Sequence, residues 1–520
     1  MIHVFSHQSD AFAVGIVRAA LERSVSAGLV QHAAPGALDE AGIALCINPD
    51  PALGQQLLGW LAECPRKLIL FGRLPEALES WLGVRHAEWP AEPGLWSRSA
   101  LAPTGGCAES IGQICYSPAA AALGATSWCR ALERFDFTDE WNNLAYGAIR
   151  ADGGPWALAQ PVRVATDYCL AELQTGADAP LSYCALRTHA GSSVLWFNRP
   201  VGPVDSFEWR LVENFLSTGL AEDQPCCPVI REIPWGYDTA ITMRLDCDED
   251  ITSARPLWEA YRAWGVPLSL AIHTVNLQGN THHAFLREFC AAGGALLSHT
   301  ATHAPNWGGS YEAARHEGHE SRQKIETATG VSVRYAVSPF HQSPPYALAG
   351  LCDAGYLGCI GGIIRNDPEF LLARGGELDG LPRGFIGHSQ QTMLHGDCML
   401  TEGDPLRIFK AAYDRAYETQ TLFGYLDHPF SPRYQYGWSD EAQRIEAHQG
   451  LIAHIRTRAA QPLFLDEIQA LDFLRARAAI RLIQEGDSYF CQWAEVSAGL
   501  AFGVEYQGRC EPLLTGKRLG

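Results

Sequence analysis

No stretch of this chain approaches the run of about eighteen apolar residues that a membrane-crossing helix needs. Its start, Met1-Ile2-His3-Val4-Phe5-Ser6-His7, lacks the basic residues and apolar core of a secretory signal. A cytoplasmic location is therefore expected, with an extracytoplasmic role left open. There is no block of lysine or arginine, and the formal net charge is -19, which argues against electrostatic binding to nucleic acid or an anionic membrane. A neutral or cationic partner fits better. Neither G-x-G-x-x-G nor a P-loop is present, so a nucleotide site has no support. The 16 cysteines show no C-x-x-C spacing. Cys46, Cys115, Cys290 and Cys359 lie in apolar segments and read as buried, reduced thiols, and the adjacent Cys226-Cys227 pair reads as part of an interdomain loop.

What is present is a globular composition, 47% hydrophobic and 19% charged, over 520 residues, enough for two or three domains. In the first half, short apolar runs (Ile2 to Phe5, Ile43 to Ile47, Leu68 to Phe71) alternate with helical patterns (Ala11 to Ser24, Ala52 to Glu63). This pattern predicts a doubly wound α/β domain, a parallel sheet with helices on both faces. It ends on the strand-like Gly191 to Pro200 and a helix from about Ser206 to Leu216, an ending that resembles amidotransferase-like, flavodoxin-like domains. In that family a nucleophilic cysteine sits on a glycine-flanked elbow. Cys107 after Gly105-Gly106 is the one candidate here, but the following glycine and a partner histidine are missing, so a non-catalytic accessory domain is expected over 1–224. A proline-rich linker is expected at 225–234, a second strand-helix alternation over 235–478, and a β-rich segment over 479–520. The second alternation suggests a distorted (β/α) barrel with its chemistry at the carboxyl ends of the strands.

Two signals at such ends carry the chemistry. Leu296-Leu297-Ser298-His299-Thr300-Ala301-Thr302-His303 places two histidines four apart after an apolar run, and the strand Ile241 to Leu245 runs into the acidic cluster Asp246-Cys247-Asp248-Glu249-Asp250. Two imidazoles and a carboxylate can hold a divalent metal with coordination positions left open, as catalytic metals require. The zinc-protease helix motif H-E-x-x-H is excluded by Thr300, and the acidic run lacks the glycine and distal glutamate of an EF-hand.

In order, these motifs resemble those of the polysaccharide deacetylases of the NodB-homology group, over roughly Trp235 to Ala478. The family's aspartate pair is matched by Asp246 and Asp248, its histidine motif by His299 to His303, and its R-x-P-[F/Y] in part by Val337-Ser338-Pro339-Phe340. Its last motif is matched by Leu426-Asp427-His428 with one residue inserted. The resemblance implies Asp248, His299 and His303 as metal ligands, Asp246 as general base and His428 as general acid. It also implies the Phe340 backbone as oxyanion donor, with Pro339 and Thr300 shaping the site. His341, Trp307 and Trp438 are candidates to line a sugar-stacking cleft. Two departures stand out. Val337 replaces the arginine that orients the family's base, so another cation such as Arg365, Arg383 or Arg433 would have to approach. A shifted alignment could also give Glu249 or Asp250 the role of Asp248. No role is assigned to His282, His283, His388, His395 or Asp397.

The expectation is a metal-dependent deacetylase that removes the N-acetyl group of an amino sugar or a glycan containing one. The ion would be zinc by default, with cobalt, nickel or iron compatible with the same ligands. Its rivals are a hydrolase of non-sugar amides or cyclic imides and ureides on the same fold, and an inactive glycan-binding barrel. Assembly into a homo-oligomer is left open.

Overall fold

The computed structural model describes residues 1–6, 11–89, 98–99, 113–124, 128–131, 133–134, 158–174, 179–199, 206–362, 374–493 and 499–520. Cys107 and Arg365 lie outside them. Among the described residues, the first large sheet has nine strands in the order Val30–His32, Ile2–Ser6, Ile43–Ile47, Lys67–Phe71, Ser192–Phe197, Leu181–His189, Cys169–Gln174, Gln113–Tyr116 and Trp128–Ala131. Side chains alternate across it. Val4, Leu45 and Ile69 enter one apolar core, and Phe5, Cys46 and Leu70 enter another on the opposite face, which is why these strands read as unbroken apolar runs.

The expectation of a parallel sheet holds for only the first five strands. The remaining pairings are antiparallel, making the sheet mixed. The switch occurs where Ala190 and Gly191, at φ 50° and 84°, join Leu181–His189 to Ser192–Phe197 in a two-residue hairpin. One cysteine reading is also corrected: Cys115, on the strand Gln113–Tyr116, is disulfide-bonded. Cys46 and Cys359 are free and buried, and Cys290 is free and partly exposed.

The second large sheet has ten strands among the described residues. Its order runs Gly376–Glu377, Ile386–Gln390, Gly358–Gly362, Tyr335–Val337, Ala295–Ser298, Ser269–Ile272, Thr239–Cys247, Phe423–Asp427 and Thr392–Met393, with Pro462–Leu465 also pairing with Thr239–Cys247. All of these pairings are parallel except that of Gly376–Glu377. No described pairing closes the sheet into the expected barrel. Chain continuity links its two flanks instead, since Ile386–Gln390 and Thr392–Met393 are separated only by Gln391. Helices alternate with the strands, and their ends carry ordinary caps: Ser310 accepts from Ala313 N–H, Asp440 from Gln443 N–H, and Asp466 forms a capping box with Gln469.

The segment expected as a linker contributes the strand Val229–Ile230, which pairs with Phe502–Tyr506 near the end of the chain. The two halves are also joined by a buried ion network. Arg374 donates to Glu213 at 2.9 and 2.6 Å and to Glu232 at 3.3 Å. Among the described residues, no helix is long and apolar enough to cross a membrane.

Candidate metal centre and active site

The strand Thr239–Cys247 carries Asp246 to the top of the second sheet, and Asp248 follows just past its end. Neighbouring strands deliver the rest: His299 directly follows Ala295–Ser298, Pro339 follows Tyr335–Val337, and His428 follows Phe423–Asp427. Asp248 Oδ1 lies 3.1 Å from His299 Nε2 and 3.4 Å from His303 Nε2, and the two Nε2 atoms are 3.1 Å apart. Four tetrahedral ligands at zinc-like bond lengths of about 2.0–2.2 Å stand roughly 3.3 Å from one another, so the three atoms are spaced as ligands of one small cation would be.

The hydrogen bonding agrees with that fit. His299 Nδ1 faces the Val337 carbonyl at 3.1 Å, so Nδ1 carries the proton and Nε2 keeps its lone pair. Burial and the neighbouring His299 push His303 down to about 4, leaving it neutral. Val337 therefore supports the site through its backbone carbonyl.

Asp246 is buried, and its counter-ion is neither Arg383 nor Arg433. Arg383 pairs with Glu22 and Glu377, and Arg433 lies over the Tyr434 ring. The partner is Arg244, on the same strand, with Nε 2.6 Å from Oδ1 and Nη2 3.1 Å from Oδ2. Burial alone would raise the Asp246 carboxyl, but Arg244 and His299 bring it down to about 2. The signal was available, because residues two apart on a strand share a face.

His428 Nε2 lies 3.2 Å from Asp248 Oδ2. Its Nδ1 faces His395 Nε2 at 2.8 Å, and the Tyr436 ring stacks on it with centroids 4.3 Å apart. Asp427, the inserted residue, is an anchor: its carboxylate accepts from His428 N–H at 2.7 Å and Arg444 Nε at 2.6 Å, and His448 Nε2 lies 3.0 Å away. Sequence reasoning missed Arg444 and His448, which reach the site from the helix Glu441–Arg458.

Two stacking candidates are corrected. Trp307 and Trp438 are 0% and 1% exposed, so neither offers a face to a sugar. Their indole N–H groups instead reach the Gln342 carbonyl at 3.1 Å and Asp427 Oδ1 at 3.5 Å. Phe340 is the exposed ring, half-open to solvent and 4.5 Å from the His303 ring. His341 is partly buried, its Nε2 3.1 Å from Met393 Sδ. Thr300 is buried, and its Oγ1 accepts from His303 N–H at 2.7 Å. Pro339 is buried. Glu249 and Asp250 are not among the converging ligand atoms. Asp250 instead caps the turn Ile251–Ala254. Thr300, His303, Phe340 and His341 all have left-handed φ, between 52° and 69°. Backbone strain of this kind gathers at functional sites.

No protein-family model and no curated protein matches this chain. Among solved structures it is similar to Agd3, described as a novel carbohydrate deacetylase (11% identity, 98% of this chain and 91% of that one, TM-score 0.41). It is also similar to a family 4 acetyl xylan esterase from Clostridium thermocellum in complex with a cobalt ion (11% identity, 45% and 90%, TM-score 0.31). A third is a CE4 family pseudoenzyme from Bacillus anthracis (14% identity, 48% and 71%, TM-score 0.32).

Proposed function

We propose that this protein is a metal-dependent deacetylase that hydrolyses the N-acetyl group of an amino sugar, or of a glycan containing one, to acetate and a free amine. The observation that carries the reading is the convergence of Asp248, His299 and His303 on one point, with His428 turned to the same carboxylate. Those three residues would hold the ion, zinc by default. Once bound, it supplies Lewis acidity toward the amide carbonyl and acidifies water.

The remaining work falls to the chain. Asp246, kept ionised by Arg244, takes the proton of the attacking water. His428 gives a proton from Nε2 to the departing nitrogen, without which an amine anion would have to leave. The Phe340 backbone is the proposed donor to the oxyanion, and its exposed ring a surface for the apolar face of a pyranose. Water adds its hydroxyl to the acetyl carbon and its proton to the amine, so the products balance. The choice of an acetylated sugar rests on the motif resemblance.

The test is acetate release from a panel of N-acetylated sugars and oligomers by purified protein, before chelation, after it, and after zinc or cobalt is restored. Release that is lost on chelation, regained with metal and absent in His299→Ala supports the reading. A metal-loaded protein that releases no acetate from any member overturns it.

A further inference from the structure

His395 has no part in the scheme above, yet it is among the best-fixed side chains at the site. Its backbone segment is pinned by a close approach of two glycines: Gly396 N–H donates to the Tyr436 carbonyl at 3.0 Å, and a Cβ added to Gly437 would sit 2.0 Å from Asp397 N. The Tyr436 ring contacts both imidazoles, 5.3 Å from His395 and 4.3 Å from His428. The two histidines meet edge to edge, His395 Nε2 to His428 Nδ1, at 2.8 Å.

Two imidazole nitrogens at that distance share one proton, so one donates and the other accepts. His395 is 8% exposed. Burial, with His428 beside it, pushes it down to about 4, so it is the neutral partner. Its Nδ1 lies 3.9 Å from Asp397 Oδ1 and its Nε2 3.7 Å from Asp427 Oδ1; a doubly protonated His428, the form a proton donor requires, can only donate from Nδ1, so His395 accepts at Nε2 and carries its own proton on Nδ1. His395, Asp427 and His428 also lie close enough to hold an ion. However, the Asp427 carboxylate is already engaged by Arg444, His448 and the His428 amide.

Resting on the deacetylase reading, we infer that His395 is a positioning residue for the proton donor. Its Nε2 accepts from Nδ1–H of the doubly protonated donor, so the proton free to leave is the one on His428 Nε2, the nitrogen that faces the Asp248 side. The tautomer left after transfer, neutral with Nδ1 protonated, is the one this contact holds.

The consequence is selective. An amine cannot depart unprotonated, whereas p-nitrophenolate can, so a misplaced donor slows amide cleavage more than aryl-ester cleavage. The experiment compares metal-loaded wild type, His395→Phe and His395→Gln on N-acetylglucosamine oligomers and on p-nitrophenyl acetate, with metal content measured for each. His395→Phe keeps the ring against Tyr436 and removes the acceptor; His395→Gln restores an acceptor. The expected result is an amide kcat lowered about 10- to 100-fold further than the ester kcat in His395→Phe, a smaller gap in His395→Gln, and equal metal content. Equal losses on both substrates, or lowered metal content in His395→Phe, would overturn the inference and leave the deacetylase reading intact. Wild type inactive on the oligomers would overturn that reading, and the inference with it.

Discussion

Arg244 holds Asp246 from two residues upstream on one strand, a bidentate pair with both side chains almost fully buried. Removing one partner of such a pair leaves an uncompensated buried charge, which costs about 3–5 kcal/mol. Arg244→Met should therefore lower the unfolding free energy by about that amount and cut amide turnover by roughly 100-fold or more. Arg244→Met/Asp246→Asn should recover most of the stability and none of the activity. Chemical denaturation and acetate release read the two effects separately.

Glu467 is fully buried, feels the charge of Arg244 and accepts from Gln390 Nε2 at 2.6 Å. Burial raises its carboxyl from 4.5 to about 7, with Arg244 opposing. A carboxyl raised on folding favours the folded state while neutral. Its stabilisation is complete below the unfolded value and is lost as pH rises from about 4.5 to 7, a change on the order of 3 kcal/mol. Glu467→Gln, which cannot ionise, should match wild type in Tm near pH 4.5 and exceed it near pH ~8. Parallel Tm profiles for the two proteins would contradict this.

Trp307 and Phe340 should respond in opposite ways. Trp307 is fully buried, so Trp307→Ala should cost about 3–5 kcal/mol of stability. Phe340 is 50% exposed, so Phe340→Ala should leave the denaturation midpoint nearly unchanged and raise KM on the order of fivefold. Midpoints and KM values for both variants decide the assignment.

Much of the site was legible because its parts sit at strand ends with short, patterned spacing. Asp246 lies near the end of one strand and Asp248 just past it, and His299 and His303 share one loop, so local sequence brought each pair together. What stayed hidden depends on distance along the chain or on burial. Arg444 and His448 reach Asp427 from a later helix, and His395 meets His428 across 33 residues; neither spacing has a local signature. Trp307 and Trp438 show the opposite failure, since an aromatic in a loop reads the same whether its face is open or packed. In the first half, apolar strands gave the two-faced burial correctly. The antiparallel pairing has no such signal, because Gly191 opens the strand-like run to Pro200 in the sequence whereas in the fold it is half of the turn before it.

The most direct test of the central claim is a zinc titration by calorimetry of metal-stripped wild type, His299→Ala, His303→Ala and His395→Gln. The account predicts about one zinc bound per chain in wild type and His395→Gln, with binding strongly weakened when either ligand histidine is removed. Wild-type affinity retained in His299→Ala and His303→Ala would place the ion elsewhere and contradict it.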